Sequence, residues 1–134
     1  MLQWNGHALM KIFDMNIIKR LHLSANLVKS IAYGSMLRGG AGNDGSVVRS
    51  DPGEPPRWQT GKLRSDLHTE VNPALYEARI GIVDDNEYGR ALELGNPPYL
   101  APRPFLRPAL KKAKKRVYAI FAAPIPGLSK VPSV

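Results

Sequence analysis

Four groups of residues in this chain have types and spacings from which chemistry can be built. Gly40-Ala-Gly42-Asn-Asp-Gly45 matches the string G-x-G-x-x-G. Dinucleotide binding needs those glycines between a strand and a helix N-terminus, where backbone amides meet a pyrophosphate. Here they follow a helical pattern and precede more loop, so a loop is the better reading. Asp84, Asp85 and Glu87 offer oxygen ligands for a hard cation. They lack the spaced ligands of a calcium loop, however, and fall where a hairpin must turn, a place that favours Asp and Asn. His7, His22 and His68 lie far apart, with none at i, i+3 or i+4 from another, and zinc needs convergence. The serines at 24, 30, 35, 46, 50 and 65 include no G-x-S-x-G elbow. No catalytic, cofactor-binding or metal set emerges. An enzyme is not expected.

The fourth group is cationic. The chain has 134 residues and a formal net charge of +8, from 19 Lys and Arg against 11 Asp and Glu. From Met1 to Leu100 there are 11 basic and 11 acidic residues, a neutral stretch. From Ala101 onward there are 8 basic residues and no carboxylate, seven of them between Arg103 and Arg116. Arg107, Lys111, Lys114, Lys115 and Arg116 could touch phosphates in a salt-sensitive, sequence-blind way. Three other readings stay open: a solvated helix face, cations matched to a helix C-terminal dipole, and docking on an acidic protein. No recognisable DNA-reading motif accompanies the patch.

Composition sets the frame for these groups. The length fits one domain that buries roughly two thirds of its unfolded surface. With no cysteine, disulfides, Cys-based zinc sites and thiol catalysis are excluded. No apolar run approaches the ~20 residues needed to span a bilayer, so no membrane partner is expected. The N-terminal residues lack a basic region leading into an apolar core, so a signal peptide is not expected. The expectation is a soluble protein of a reducing compartment.

The positioning elements follow from periodicity. Met10, Phe13, Ile17, Leu21, Val28 and Ile31 recur in steps of three, four and seven, predicting a helix over His7–Tyr33. A helix so long is expected to lie across something flat, most simply a sheet, and a docking face for a neighbouring subunit is the other option. Residues 38–60 hold five glycines and three prolines with little apolar content, predicting a flexible loop or arm. Val47-Val48-Arg49 has the composition of a short strand. Thr60 is placed to cap a turn through Gly61–Arg64, with Leu63 and Leu67 facing one core. Strands are predicted over Leu67–Val71 and Leu75–Val83, the second with Tyr76, Ala78, Ile80 and Ile82 inward. Glu87–Leu94 reads as a short helix closed by Gly95. Pro97, Pro98, Pro102 and Pro104 exclude regular structure before a last helix over about Phe105–Phe121. A C-terminal tail is expected at about 121–134. The fold class is α+β, with a long N-terminal helix and a C-terminal helix packed on a small antiparallel sheet.

Two stretches carry a family resemblance. Ser50-Asp-Pro-Gly-Glu-Pro-Pro-Arg57 followed by Thr60-Gly-Lys-Leu-Arg64 resembles a "PGEPP…TG-[KR]-LR" pattern. Tyr88-Gly-Arg-Ala-Leu-Glu-Leu-Gly95 followed by Ala101-Pro-Arg-Pro-Phe-Leu-Arg-Pro-Ala-Leu110 is similar to "Y-A-x-x-L-E-x-G-T…RPFLRPAL". Both patterns belong to the tail-completion, or head-to-tail joining, proteins of long-tailed bacteriophages. The resemblance runs from about Ser50 to Lys115. Gly89 departs from the usual Ala, Asn96 from Thr or Ser, and Asp66 stands near a position that is often Ser.

The resemblance implies a structural virion subunit of the neck or upper tail, assembled in the host cytoplasm and located at the head–tail interface. It implies a homo-oligomeric ring, a hexamer or dodecamer, that contacts the connector or head-closure protein and the tail terminator or tube. A non-specific contact with genomic DNA in the channel would fit, and neither catalysis nor a cofactor is implied. The arms at 38–60 and 121–134 would clasp neighbours. Among the motif residues Arg64, Glu93, Arg103, Phe105, Arg107, Lys111, Lys114 and Lys115, the stiff Pro-flanked Arg103 is expected to anchor the motif with Arg107. Their guanidiniums would bond carboxylates or carbonyls, Glu93 among them. Phe105 and Leu106 should fill the core, at about 2–5 kcal/mol each if truncated. The second reading is a basic nucleic-acid-binding module using the helix around 103–116.

Overall fold

The periodic stripe at the N-terminus does form a helix, α1, over Gly6–Ser35. The computed structural model describes residues 6–36, 48–57, 61–83 and 87–126. Further elements are α2 (Lys62–Ser65), β1 (Leu67–Asn72), β2 (Glu77–Ile82), α3 (Glu87–Leu94) and α4 (Leu106–Ala122). This is the expected α+β architecture, a long helix and a C-terminal helix with a two-stranded antiparallel sheet. The expected arm and tail fall partly on residues 37–47, 58–60 and 127–134, outside those described, as do Thr60, the glycine string and Asp84–Asn86. Val48 and Arg49 are not in a strand, and the last helix continues one residue past Phe121.

α1 is the central element. The hairpin β1–β2 packs on it, and α4 packs chiefly against it too, rather than against the strands. The seam between the two helices is built from small residues. Ser24, Ala25, Val28 and Ala32 of α1 are buried, as are Ala109 and Ala113 of α4, so the backbones approach closely. Around this seam Met36, Leu63, Leu67, Leu92 and Phe105 complete the core. At about 1.5 Å per residue, α1 spans roughly 45 Å and α4 roughly 26 Å. The N-terminal half of α1 therefore runs past α4. This explains why Met10 is 59% exposed although it continues the apolar stripe.

The strand register pairs Leu67 with Ile82, Thr69 with Ile80 and Val71 with Ala78. Period-two alternation puts those residues on the covered face and leaves His68 and Glu70 outward, as β1's burial shows. The connection differs from expectation. Tyr76 is not an inward strand residue but the last residue of a four-residue turn, at φ 49. Asn72 sets that turn: its Oδ1 accepts from the amides of Ala74 (3.0 Å) and Leu75 (3.3 Å). The Tyr76 hydroxyl then donates to Asp14 and ties the hairpin tip to α1. That bond holds the Tyr76 hydroxyl above its ordinary pKa.

The glycine at 89 has a physical reason. A Cβ there would lie 2.9 and 3.0 Å from Ile82 Cγ1 and Cγ2 and 3.2 Å from Leu63 Cδ1. α3 thus presses on the end of β2 at a point where any Cβ would force the Ile82 side chain to shift. Alanine would gain about 1 kcal/mol of helix propensity but lose about 1–3 kcal/mol to overpacking. Gly89→Ala should therefore lower the melting temperature, and Ile82→Ala in the same chain should cancel that effect. A double-mutant cycle by thermal denaturation should return a coupling above about 0.5 kcal/mol, and additivity would disprove the contact.

Candidate functional site

α4 starts without a capping residue of its own. Phe105 occupies the cap position, makes no side-chain cap bond, and is preceded by proline. The amides at a helix start need acceptors. Glu93, in the last turn of α3, supplies them: Oε2 accepts from Phe105 N (2.7 Å) and Leu106 N (2.9 Å). Oε1 accepts from Arg107 N (3.0 Å). Pro108 has no amide, and Ala109 N opens the helical ladder on the Phe105 carbonyl (3.4 Å). Every early amide is accounted for. A carboxylate at the end of α3 opposes that helix's own dipole, so its placement answers to α4.

The far end of α4 is closed in the same borrowed manner. Arg20 of α1 donates from Nη1 to the Phe121 carbonyl (2.7 Å) and from Nη2 to those of Ala123 (2.6 Å) and Pro124 (3.0 Å). A cation meets the negative end of the dipole.

Between α3 and α4 the chain is pinned at several points. Gly95, at φ 79, donates to the Ala91 carbonyl (2.7 Å), and a Cβ there would crowd Pro102 and Leu100. Asn96 and Leu100 exchange backbone bonds of 2.8 and 2.9 Å, closing a short loop over Pro97 and Pro98 with Tyr99 88% exposed at its tip. Arg103 N then donates to the Leu92 carbonyl (2.6 Å).

Residues 48–57 dock on the same place. Arg103 Nε donates to the Ser50 carbonyl (3.0 Å), and Gly53 N donates to the Pro102 carbonyl (2.9 Å). Asp51-Pro-Gly-Glu54 is a tight turn, closed by Glu54 N on the Asp51 carbonyl (3.1 Å) with Gly53 at φ 86. Ser50 and Pro56 are buried. Three sequence segments, Ser50–Arg57, Tyr88–Gly95 and Ala101–Leu110, thus meet in one junction. Beside it lies an open groove of about 520 Å³, lined in part by Ile82, Val83, Leu94, Leu106, Arg90 and Arg107.

The sequence-predicted residues divide into two sets. Glu93, Arg103, Phe105 and Arg107 come together at the junction. Phe105 is fully buried there, with Leu106 packed against the core. The expected donor to Glu93 is corrected: backbone amides bind it, because α4 lacks its own cap, while Arg103 takes the other kind of partner expected of it, a carbonyl. Arg107 contributes its amide and keeps its guanidinium exposed. Arg64 stands apart in α2, its guanidinium 3.5 Å from the Tyr33 ring centroid. Lys111, Lys114 and Lys115 lie on the exposed side of α4. The reading of residues missed Arg20 and the docking of Ser50, both bonds to carbonyls far along the chain.

The hairpin carries displaced titrating groups. Besides Tyr76, the Glu77 carboxyl is lowered and Arg79 raised by their mutual hydrogen bond. Among the described residues no three His, Asp or Glu converge as a metal set, and no helix is long and apolar enough to cross a membrane. No family model, curated protein or solved structure matches this chain.

Glu93→Ala strands three amides and should cost about 2–3 kcal/mol, with Glu93→Gln losing less because its amide oxygen still accepts. Thermal melts check the order, and equal losses would remove the charge from the account. Arg103→Ala should cost about 1–2 kcal/mol and open residues 48–57 to trypsin at Arg49 and Arg57. Unchanged cleavage would show that the guanidinium does not hold that segment.

Proposed function

We propose that this chain is a structural subunit of the neck or upper tail of a long-tailed bacteriophage, built into a homo-oligomeric ring that joins head connector to tail tube. The observation that carries the reading is the junction itself. The three segments that resemble the tail-completion family are separated in sequence, yet their glycines, prolines, Glu93 and Arg103 serve one hydrogen-bonded knot. Such a knot fixes where α3, α4 and the Tyr99 loop stand relative to α1. A ring subunit needs that rigidity, since small angular errors accumulate from one copy to the next.

The surface supports the same role. Among the described residues the large apolar side chains Met15, Leu75, Tyr88, Tyr99 and Tyr118 are each more than 60% exposed. The core of large residues, by contrast, is little more than Val28, Met36, Leu63, Leu67, Leu92 and Phe105. A single chain that leaves so much apolar side chain in water has surface to place against a partner. Tyr99 is suited to be such an anchor, because its loop is closed and a tyrosine loses little entropy on contact. The partners are further copies of the chain, the connector or head-closure protein, and the tail terminator or tube. The chain acts without catalysis or cofactor, at the head–tail interface of the virion.

Light scattering after size exclusion, followed by electron microscopy, should show a closed hexamer or dodecamer. Tyr99→Ser should leave the melting temperature of the subunit nearly unchanged, as surface substitutions do. It should weaken assembly at least about tenfold. A chain that stays monomeric at all workable concentrations and never enters particles would overturn the reading.

A further inference from the structure

The basic face of α4 is not explained by the helix that carries it. Its last turn holds no basic residue, so the lysines are not matched to the C-terminal dipole, which Arg20 already meets. No carboxylate lies between Leu106 and Ala122, and none of the six cations there pairs with an acidic described residue. Arg107 and Lys111, and Lys111 and Lys115, stand four residues apart, and Lys111 and Lys114 three, so like charges repel along one face. An ordinary solvated helix alternates its signs.

The placement is linear. Counting about 100° per residue away from buried Ala109 and Ala113, the outward crest of α4 is Arg107, Lys111, Lys114, Lys115 and Tyr118. Arg107 to Lys115 covers roughly 12 Å of helix axis. Lys112 lies on the flank, and Arg116, though exposed, is turned further from the crest toward the side of Ala109 and Ala113. Tyr118 is 62% exposed, with Lys114 Nζ 5.8 Å from its ring centroid.

We infer that this crest is a contact site for the phosphate backbone of a nucleic-acid duplex, independent of base sequence. Four cations over about 12 Å, at unequal axial steps of about 6, 4.5 and 1.5 Å, give a mean charge density comparable to the phosphates of one strand, about one per 3.4 Å of axis. The residue types decide between polyanions. Three of the four cations are lysines, which are depleted in protein–protein interfaces but serve as point-charge phosphate binders. This inference does not rest on the ring reading. A monomer that binds duplex keeps the one and loses the other, and a ring that ignores duplex does the reverse.

Fluorescence anisotropy of the full chain with a short labelled duplex tests it. Four phosphate contacts give a log–log salt slope of about −3.6, an affinity loss of ~150-fold between about 50 and 200 mM salt. The triple variant Lys111→Gln, Lys114→Gln, Lys115→Gln should retain about one contact and lose only ~3–4-fold over that range. Its far-UV circular dichroism should be unchanged, since all three side chains are exposed. Lys112→Gln with Arg116→Gln should leave the slope near its full value. Absence of binding at low salt, or equal slopes for crest and flank variants, would overturn the assignment. So would displacement of the duplex by poly-glutamate at equal charge, which would point to an acidic protein instead.

Discussion

The bond on which most of this structure depends is one carboxylate shared among three amides. α4 begins in a sequence, Pro104-Phe-Leu-Arg-Pro108, that offers no serine, threonine, asparagine or aspartate to close its first turn. Glu93 does so from the neighbouring helix, with both oxygens engaged. A local cap would set only the end of α4. A cap borrowed from α3 also sets the angle and distance between the two helices. Once that is fixed, Phe105 has one place to go, the core beside Leu92 and Met36, and Arg103 is aimed at the Ser50 carbonyl. Arg20 repeats the device at the other end and makes α4 a strut held by α3 and α1.

How much of this was legible in the residues depends on how many of them carry each feature. α1 and α4 repeat their apolar spacing over several turns, so period and length were readable within two residues at each end. α3 and its closing Gly95 were readable for a different reason, a short amphipathic run ending at a residue free to take positive φ. The break of the hairpin after Val71 was readable, but its extent was not. Alternation continues through Tyr76, and nothing in the pattern says that the turn set by Asn72 runs on through Tyr76, so that the second strand begins only at Glu77. Glu93 was visible as a carboxylate near two arginines, yet its donors are amides, which every residue possesses and no spacing reveals. Ser50 and Arg20 are legible least of all. Each rests on hydrogen bonds to carbonyls across 53 residues or more.

The seam of Ser24, Ala25, Ala32, Ala109 and Ala113 and the small core around it belong together. Close-packed small residues bring backbones near but bury little area, and burial is the main favourable term at about 25 cal/mol per Å². The polar junction compensates by specifying geometry where apolar packing is thin. Large side chains excluded from so narrow an interior remain on its outside, available to neighbours.

The Arg20 clamp has a consequence for how the chain is made. It joins residues 101 to 104 positions apart, and the α1–α4 seam it secures is similarly non-local. α1 leaves the ribosome with its apolar stripe uncovered and must wait for α4, roughly 5–20 s at ordinary rates of synthesis. Loop closure over such a separation is entropically costly before any contact rewards it. The nascent helix therefore passes through an interval in which chaperones or sister chains can reach the surface that α4 later covers, so the order of synthesis bears on which partner α1 meets first.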